Sequence, residues 1–359
     1  MTTLPTDIYR RRLPAEWLAA LFSSRWAIGG GRFDALLLWG SPIVALLFVY
    51  GWLGVARAFP PVTRHHLTST LVVGSLLITY AHLFAVLPRA YLNREVFKAN
   101  RLRLTLVPLL LIAGVMLSPM LFAAAVALGV FWDIHHTAMQ NFGLSRIYDM
   151  KTGNDPQCLR GTDLRLNWML YVGPLMAGAA FSYHVDSLRQ LDRLGIGEIA
   201  QLPGLVEGHL RLFGAVAVAA WAVILLWAAF DYRKAIARGY RMPAHKLALL
   251  ISTSLVSIIA WGFSSPLVAL ASINIYHATQ YFALVWLKEG ERISQWAKIK
   301  PRLALDLFLG GCLLLGILPA CGPSEHALAA GAVHCLFAAA FLVRRLRVVS
   351  SQTAGLTAD

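Results

Sequence analysis

The chain has 359 residues, of which 58% are hydrophobic and 14% charged, and its mean hydropathy is +0.61. Soluble chains carry about 25% charged residues, so a soluble globular enzyme, a disordered regulator and a secreted disulfide scaffold are all excluded. Thirty-two Lys and Arg against 18 Asp and Glu give a net charge of +14, which in a soluble chain would suggest a nucleic-acid surface. The placement of the cations points to a membrane topology instead, and no nucleic-acid partner is expected.

A membrane-crossing helix needs about 20 mostly apolar residues. Runs of that kind fall near 35–56, 67–87, 104–118, 119–145, 166–183, 210–230, 247–263, 266–287, 303–320 and 327–343. The fold class expected is therefore all-α, a polytopic bundle of about ten spans. Residues 1–33 form an N-terminal segment in which Trp17, Leu18, Leu21, Phe22 and Trp26 recur at helical spacing, as in a helix lying at the interface. The transmembrane domain covers 34–343, and 344–359 form a tail. Ser118-Pro119, Ser264-Ser265-Pro266 and Cys321-Gly322-Pro323 divide apolar stretches too long for one crossing, because proline cannot continue a helix without losing a hydrogen bond. On the outer side, 184–209 reads as an amphipathic segment, with Val185, Leu188, Leu191 and Leu194 set among Asp186, Arg189, Asp192 and Arg193.

Lys and Arg collect in cytoplasmic loops. With ten spans, 27 of the 32 cations fall on the side of the two termini, which places both in the cytoplasm and the protein in the cytoplasmic membrane. Cys158, Cys312, Cys321 and Cys335 show no C-x-x-C spacing, and no disulfide is expected.

Ionisable groups inside spans are rare and expensive, which singles out a few segments. The second span holds Thr79-Tyr80-Ala81-His82. The fourth holds Asp133-Ile134-His135-His136 and then Gln140, and the eighth holds Asn274-Ile275-Tyr276-His277 and then Gln280. Residues three and four apart share a helix face. Asp133, His136 and Gln140 therefore make one polar stripe, Asn274, His277 and Gln280 another, and His135 projects about 100° away from the first. At about 1.5 Å per residue, His82, His136 and Gln280 lie at similar depths, so the rings have the means to meet in one layer. Three or more imidazoles with a nearby carboxylate suit a transition metal. The expected ligands are His82, His135, His136 and His277, with Asp133, Gln140, Gln280 and Tyr276 as the catalytic residues around them. His334, in the last span, is an isolated polar residue by comparison. Arg146, Tyr148 and Asp149 follow the fourth span and read as ordinary topology. His184 and His245 read as loop or interface residues.

The segments around His82, His135-His136 and His277 resemble the histidine-motif membrane oxidoreductases, the class of fatty-acid desaturases, hydroxylases and carotenoid-modifying enzymes. Where that class has further histidines in its boxes, this chain has Asp133 and Asn274. The resemblance implies non-haem iron, one ion or two, facing the cytoplasm, and oxidation of a lipid-soluble substrate such as an acyl chain, isoprenoid or carotenoid. The bilayer, that substrate and a cytoplasmic electron donor would be the partners. Three alternatives stand beside this expectation: a haem protein with histidine axial ligands, a transporter whose polar stripes line a pathway, and a structural protein whose polar residues bond across helices.

Overall fold

A computed structural model describes residues 19–194 and 197–321 of the chain. The described residues are all-helical, with no strand. Nine long helices follow in order: α1 (Ser41–Arg57), α2 (Pro61–Phe84), α3 (Arg94–Leu117), α4 (Pro119–Lys151), α5 (Arg160–Ala177), α6 (Leu210–Ala237), α7 (Ala244–Phe263), α8 (Pro266–Ala297) and α9 (Pro301–Cys321). Most of the N-terminal interfacial helix, the 327–343 span with His334, and the 344–359 tail lie outside the described residues.

Proline punctuation sets several boundaries. α3 stops at Leu117, Ser118 turns to an extended backbone, and Pro119 opens α4. Pro266 likewise opens α8 after the extended Ser264 closes α7. Proline is tolerated in a first turn, where its missing N–H would have no partner. Between α5 and α6 the expected amphipathic segment is a series of short helical pieces, Phe181–Asp186, Ser187–Leu194, Gly197–Ala200 and Leu202–Val206.

Four of the helical stretches are long and apolar enough to cross a membrane: Pro61–Ala90, Arg94–Leu117, Leu202–Ala237 and Ala244–Phe263. A fifth counts if Gly31–Leu38 and Ser41–Arg57, bent by 44°, form one span. This is fewer than the ten expected, and the polar residues explain part of the difference. The 18 residues of α5 include Arg160, Asp163 and Arg165, and the apolar half of α8 is interrupted by Asn274, His277 and Gln280.

The chain divides into two compact units. The first draws on Met1–Phe48, Ile134–His184 and Gly208–Tyr276. Its core joins Ala45 and Leu46 of α1, Ala138 of α4, Tyr171 and Val172 of α5, Val256, Ala260 and Trp261 of α7, and Ala269, Ile273 and Tyr276 of α8. α5 packs on both α6 and α7, and small residues let the backbones approach. A Cβ on Gly178 would lie 2.3 Å from the Cα of Gly262, and the Ala180 N–H donates to the Gly262 carbonyl at 2.9 Å. Beside it, His184 is buried with a ring nitrogen 2.8 Å from the Trp261 carbonyl, so it is not the loop residue expected.

The second unit draws on Val49–Asp133, Val185–Glu207 and His277–Asp359. Its main contact is α2 against α9, where Ala81 and Ala85 meet Phe308 and Cys312, together with Val285 of α8. The Trp52 indole N–H donates to the Leu67 carbonyl at 2.8 Å, tying α1 to α2. Among the described residues, Cys158 and Cys312 are free thiols.

Candidate metal centre

Each histidine of interest sits in a largely apolar stretch of its helix, so its ring must be taken up by other protein groups or face lipid. His82 stands near the end of α2 and is 2% exposed, whereas His277 of α8 is fully buried. Their rings touch edge to face, with centroids 5.0 Å apart and planes at 88°. Tyr281, one turn after His277, also meets the His82 ring edge to face, with centroids 5.9 Å apart. His136 of α4 is also buried. His82, His136 and His277 each offer a ring nitrogen, and these atoms all lie within 4.8 Å of one another. It is the one group among the described residues with the ligand types and spacing to hold a metal ion.

In a tetrahedral site with metal–nitrogen bonds of about 2.0–2.1 Å, ligand nitrogens stand about 3.3 Å apart. Three nitrogens within 4.8 Å of one another would have to draw closer to share one ion. Three imidazoles leave at least one coordination position for water or substrate, the arrangement of catalytic rather than closed structural sites.

His135 does not belong to this group. The Trp168 indole N–H donates to its Nδ1 at 2.9 Å. That bond uses the Nδ1 lone pair and places the neutral ring's proton on Nε2, which suits a positioned side chain better than a ligand. The helical phase is the cause, since consecutive residues point about 100° apart. Asp133, half-buried, lies one turn before His136 but is outside the group. Gln280 is fully buried one turn beyond His277, and Gln140 is half-buried one turn beyond His136. Tyr276 is fully buried and packs in the apolar core of the first unit.

A second polar cluster was not anticipated. Where α4 and α6 end and α5 and α7 begin, Asp149, Asp163 and Lys246 are each 0% exposed. Lys246 Nζ donates to Asp149 Oδ2 at 2.7 Å and to Asp163 Oδ2 at 2.8 Å. The Arg146 guanidinium bonds the same two carboxylates, reaching Asp149 Oδ2 at 2.5 Å. Two cations and two anions close a neutral ring. The Tyr240 hydroxyl donates to Asp149 Oδ1 at 2.5 Å and the Tyr232 hydroxyl to Asp163. Burial, then the neighbouring Asp149 charge, raises the Tyr240 phenol above its usual value and keeps it a donor. Nearby, the Tyr148 hydroxyl donates to Asp34 Oδ2 at 2.9 Å, and His245, 1% exposed, stacks on Tyr148 at 5.3 Å. Arg146, Tyr148, Asp149 and His245 are thus interior groups, whereas the sequence places them at an ordinary interface. Nothing local in the sequence marks Lys246 and Asp163 as their partners, because the contact joins segments 83 residues apart.

Comparison with family models, with curated proteins and with solved structures finds no match. No family or relative therefore supports the resemblance to the histidine-motif oxidoreductases, and the functional reading rests on the site itself.

Proposed function

We propose that this chain is an integral-membrane metalloenzyme, binding a first-row transition metal through His82, His136 and His277 and oxidising a lipid-soluble substrate. The observation that carries the reading is the set of three buried imidazoles with nitrogens within 4.8 Å of one another. Buried polar groups in a membrane are costly unless they are used, and imidazole suits Fe, Zn, Cu and Ni. Iron is the ion we favour, and when bound it would supply the redox chemistry. In this reading Asp133, one turn from His136, would accept the second ring N–H of a ligand or take up a proton, and Gln140 and Gln280 would orient substrate. If the ten-span alternation held, the excess of cations on one side would put the site in the cytoplasmic half of the cytoplasmic membrane, with substrate entering from lipid and an electron donor meeting the cytoplasmic face.

The same geometry argues against a haem held by His82 and His277. A porphyrin plane has to pass between two axial imidazoles, and rings in edge-to-face contact at 5.0 Å leave no gap for it.

Elemental analysis of detergent-purified protein tests the reading. We expect a stoichiometric transition metal, sharply reduced in the His136→Ala and His277→Ala variants and retained in His135→Ala. Wild-type protein that takes up neither Fe(II), Co(II) nor Zn(II) after loading would overturn it.

A further inference from the structure

Beside the buried ionic ring, the first unit opens into a cleft of about 430 Å³, within the range of about 300–1,000 Å³ common to ligand sites. Asn154 and Asp155 line one wall, and Asp231, Lys234, Arg238 and Tyr240 the other. Both walls are fixed from behind. The Asn154 amide donates to the Arg241 carbonyl at 2.8 Å and accepts from the Arg241 N–H at 3.0 Å. Arg146 Nη2 donates to the Pro156 carbonyl at 2.7 Å, and Tyr240 is held by Asp149. The cleft is preformed, which lowers the ordering cost of binding.

Its charges are unequally engaged. Asp231 accepts from the Thr162 hydroxyl at 2.6 Å, and Asp155 accepts from the Gln157 N–H at 2.7 Å. Lys234 and Arg238, one turn apart on the same face of α6, pair with no carboxylate among the described residues, and the Lys234 ammonium lies over the Phe230 ring, 4.1 Å from its centroid. The cleft also sits at a defined level, between the end of one helix apolar enough to span, Leu202–Ala237, and the start of the next, Ala244–Phe263. Only 6% of the apolar window of the former is buried among the described residues, which leaves its apolar side chains able to face lipid.

We infer that this cleft is a phosphate site in which Lys234 and Arg238 hold the phosphate group of a membrane phospholipid. Charge-assisted bonds from ammonium and guanidinium groups to phosphate oxygens are the strong class of hydrogen bond. The two carboxylates on the same cleft keep its net charge near zero, which disfavours polyanions and fits a single diester phosphate. Free inorganic phosphate offers the same chemistry, and the test separates the two sources.

Native mass spectrometry of the full-length protein in detergent, titrated with short-chain phosphatidylglycerol, inorganic phosphate or a neutral diacylglycerol, decides the matter. We expect a saturable phosphatidylglycerol adduct that the diacylglycerol does not form. Loss of both cations in Lys234→Gln/Arg238→Gln should weaken it at least about tenfold, the worth of one charged hydrogen bond. Displacement of the lipid by millimolar inorganic phosphate would make free phosphate the source, whereas persistence of the adduct would make it the lipid. Both side chains are exposed, so the variants should fold. Equal lipid retention by wild type and the double variant, or equal binding of the diacylglycerol, would overturn the inference.

Discussion

Two kinds of buried polar residue occur in this chain, and they answer to different physics. The ring of Arg146, Asp149, Asp163 and Lys246 is self-neutralising, so its energetics show only when it is broken. Replacing Lys246 by Met leaves two buried carboxylates sharing one guanidinium. Uncompensated charge of this kind costs about 3–5 kcal/mol, and we expect a loss of that order in denaturant unfolding of the detergent-solubilised protein. The exposed Arg189–Asp186 pair should give no measurable change when Arg189 is replaced by Ala. His184 provides a titration test. Burial lowers its pKa below the ordinary 6.5, outweighing the opposing pull of its hydrogen bond with the Trp261 carbonyl. The folded state therefore favours the neutral ring, and the unfolded chain binds the proton more readily. The stability His184 contributes is complete above about pH 6.5 and is lost as pH falls through the lower folded value. Melting temperature should drop on acidification more steeply for the wild type than for His184→Gln.

At this scale the sequence was informative wherever a polar residue sat alone in an apolar run. His82, His136 and His277 stood out because hydrocarbon offers them no partner, and the helical phase already set His135 off the stripe of His136. Lys246 and His245 were illegible because cations and imidazoles at span ends are routine, and only the packing of α4, α5 and α7 shows these to be interior.

Among elements, the contact between α2 and α9 positions part of the site. Ala81, adjacent to His82, is fully buried there, and a Cβ on Gly316 would come within 2.9 Å of the Ala81 nitrogen and the Leu77 carbonyl. Backbone atoms cannot yield as a side-chain end can, so Gly316→Leu should wedge the helices apart at a cost of about 1–3 kcal/mol. It should also weaken metal binding by displacing His82, measurable as a lower affinity for Co(II) by its visible absorption. Helix boundaries at Pro119 and Pro266 were readable, since proline leaves the ladder little choice. The status of α5 and α8 as spans was not, because the same polar residues that signal function also dilute the apolar signal on which span counting depends.

For the whole molecule, composition and the length of the apolar runs point to a helical, membrane-suited chain; the described residues are all-helical, and four or five of their helices are long and apolar enough for that role. The two compact units cut across chain order, each assembled from three separate stretches. Such a division is invisible to hydropathy, which reads neighbours along the chain and not across the bundle. The convergence of residues from α2, α4 and α8 on one group was approachable only through depth, by counting residues from span ends. That estimate placed the rings in a common layer, but it carried no information on which helices adjoin.

Metal K-edge X-ray absorption on the purified, metal-loaded protein addresses the central claim most directly. The account predicts a first shell of nitrogen and oxygen at about 2.0–2.1 Å with the outer-shell pattern of about three imidazoles, reduced in His277→Ala and unchanged in His135→Ala. A shell of oxygen alone, or of sulfur, or one unaffected by His277→Ala, would contradict it.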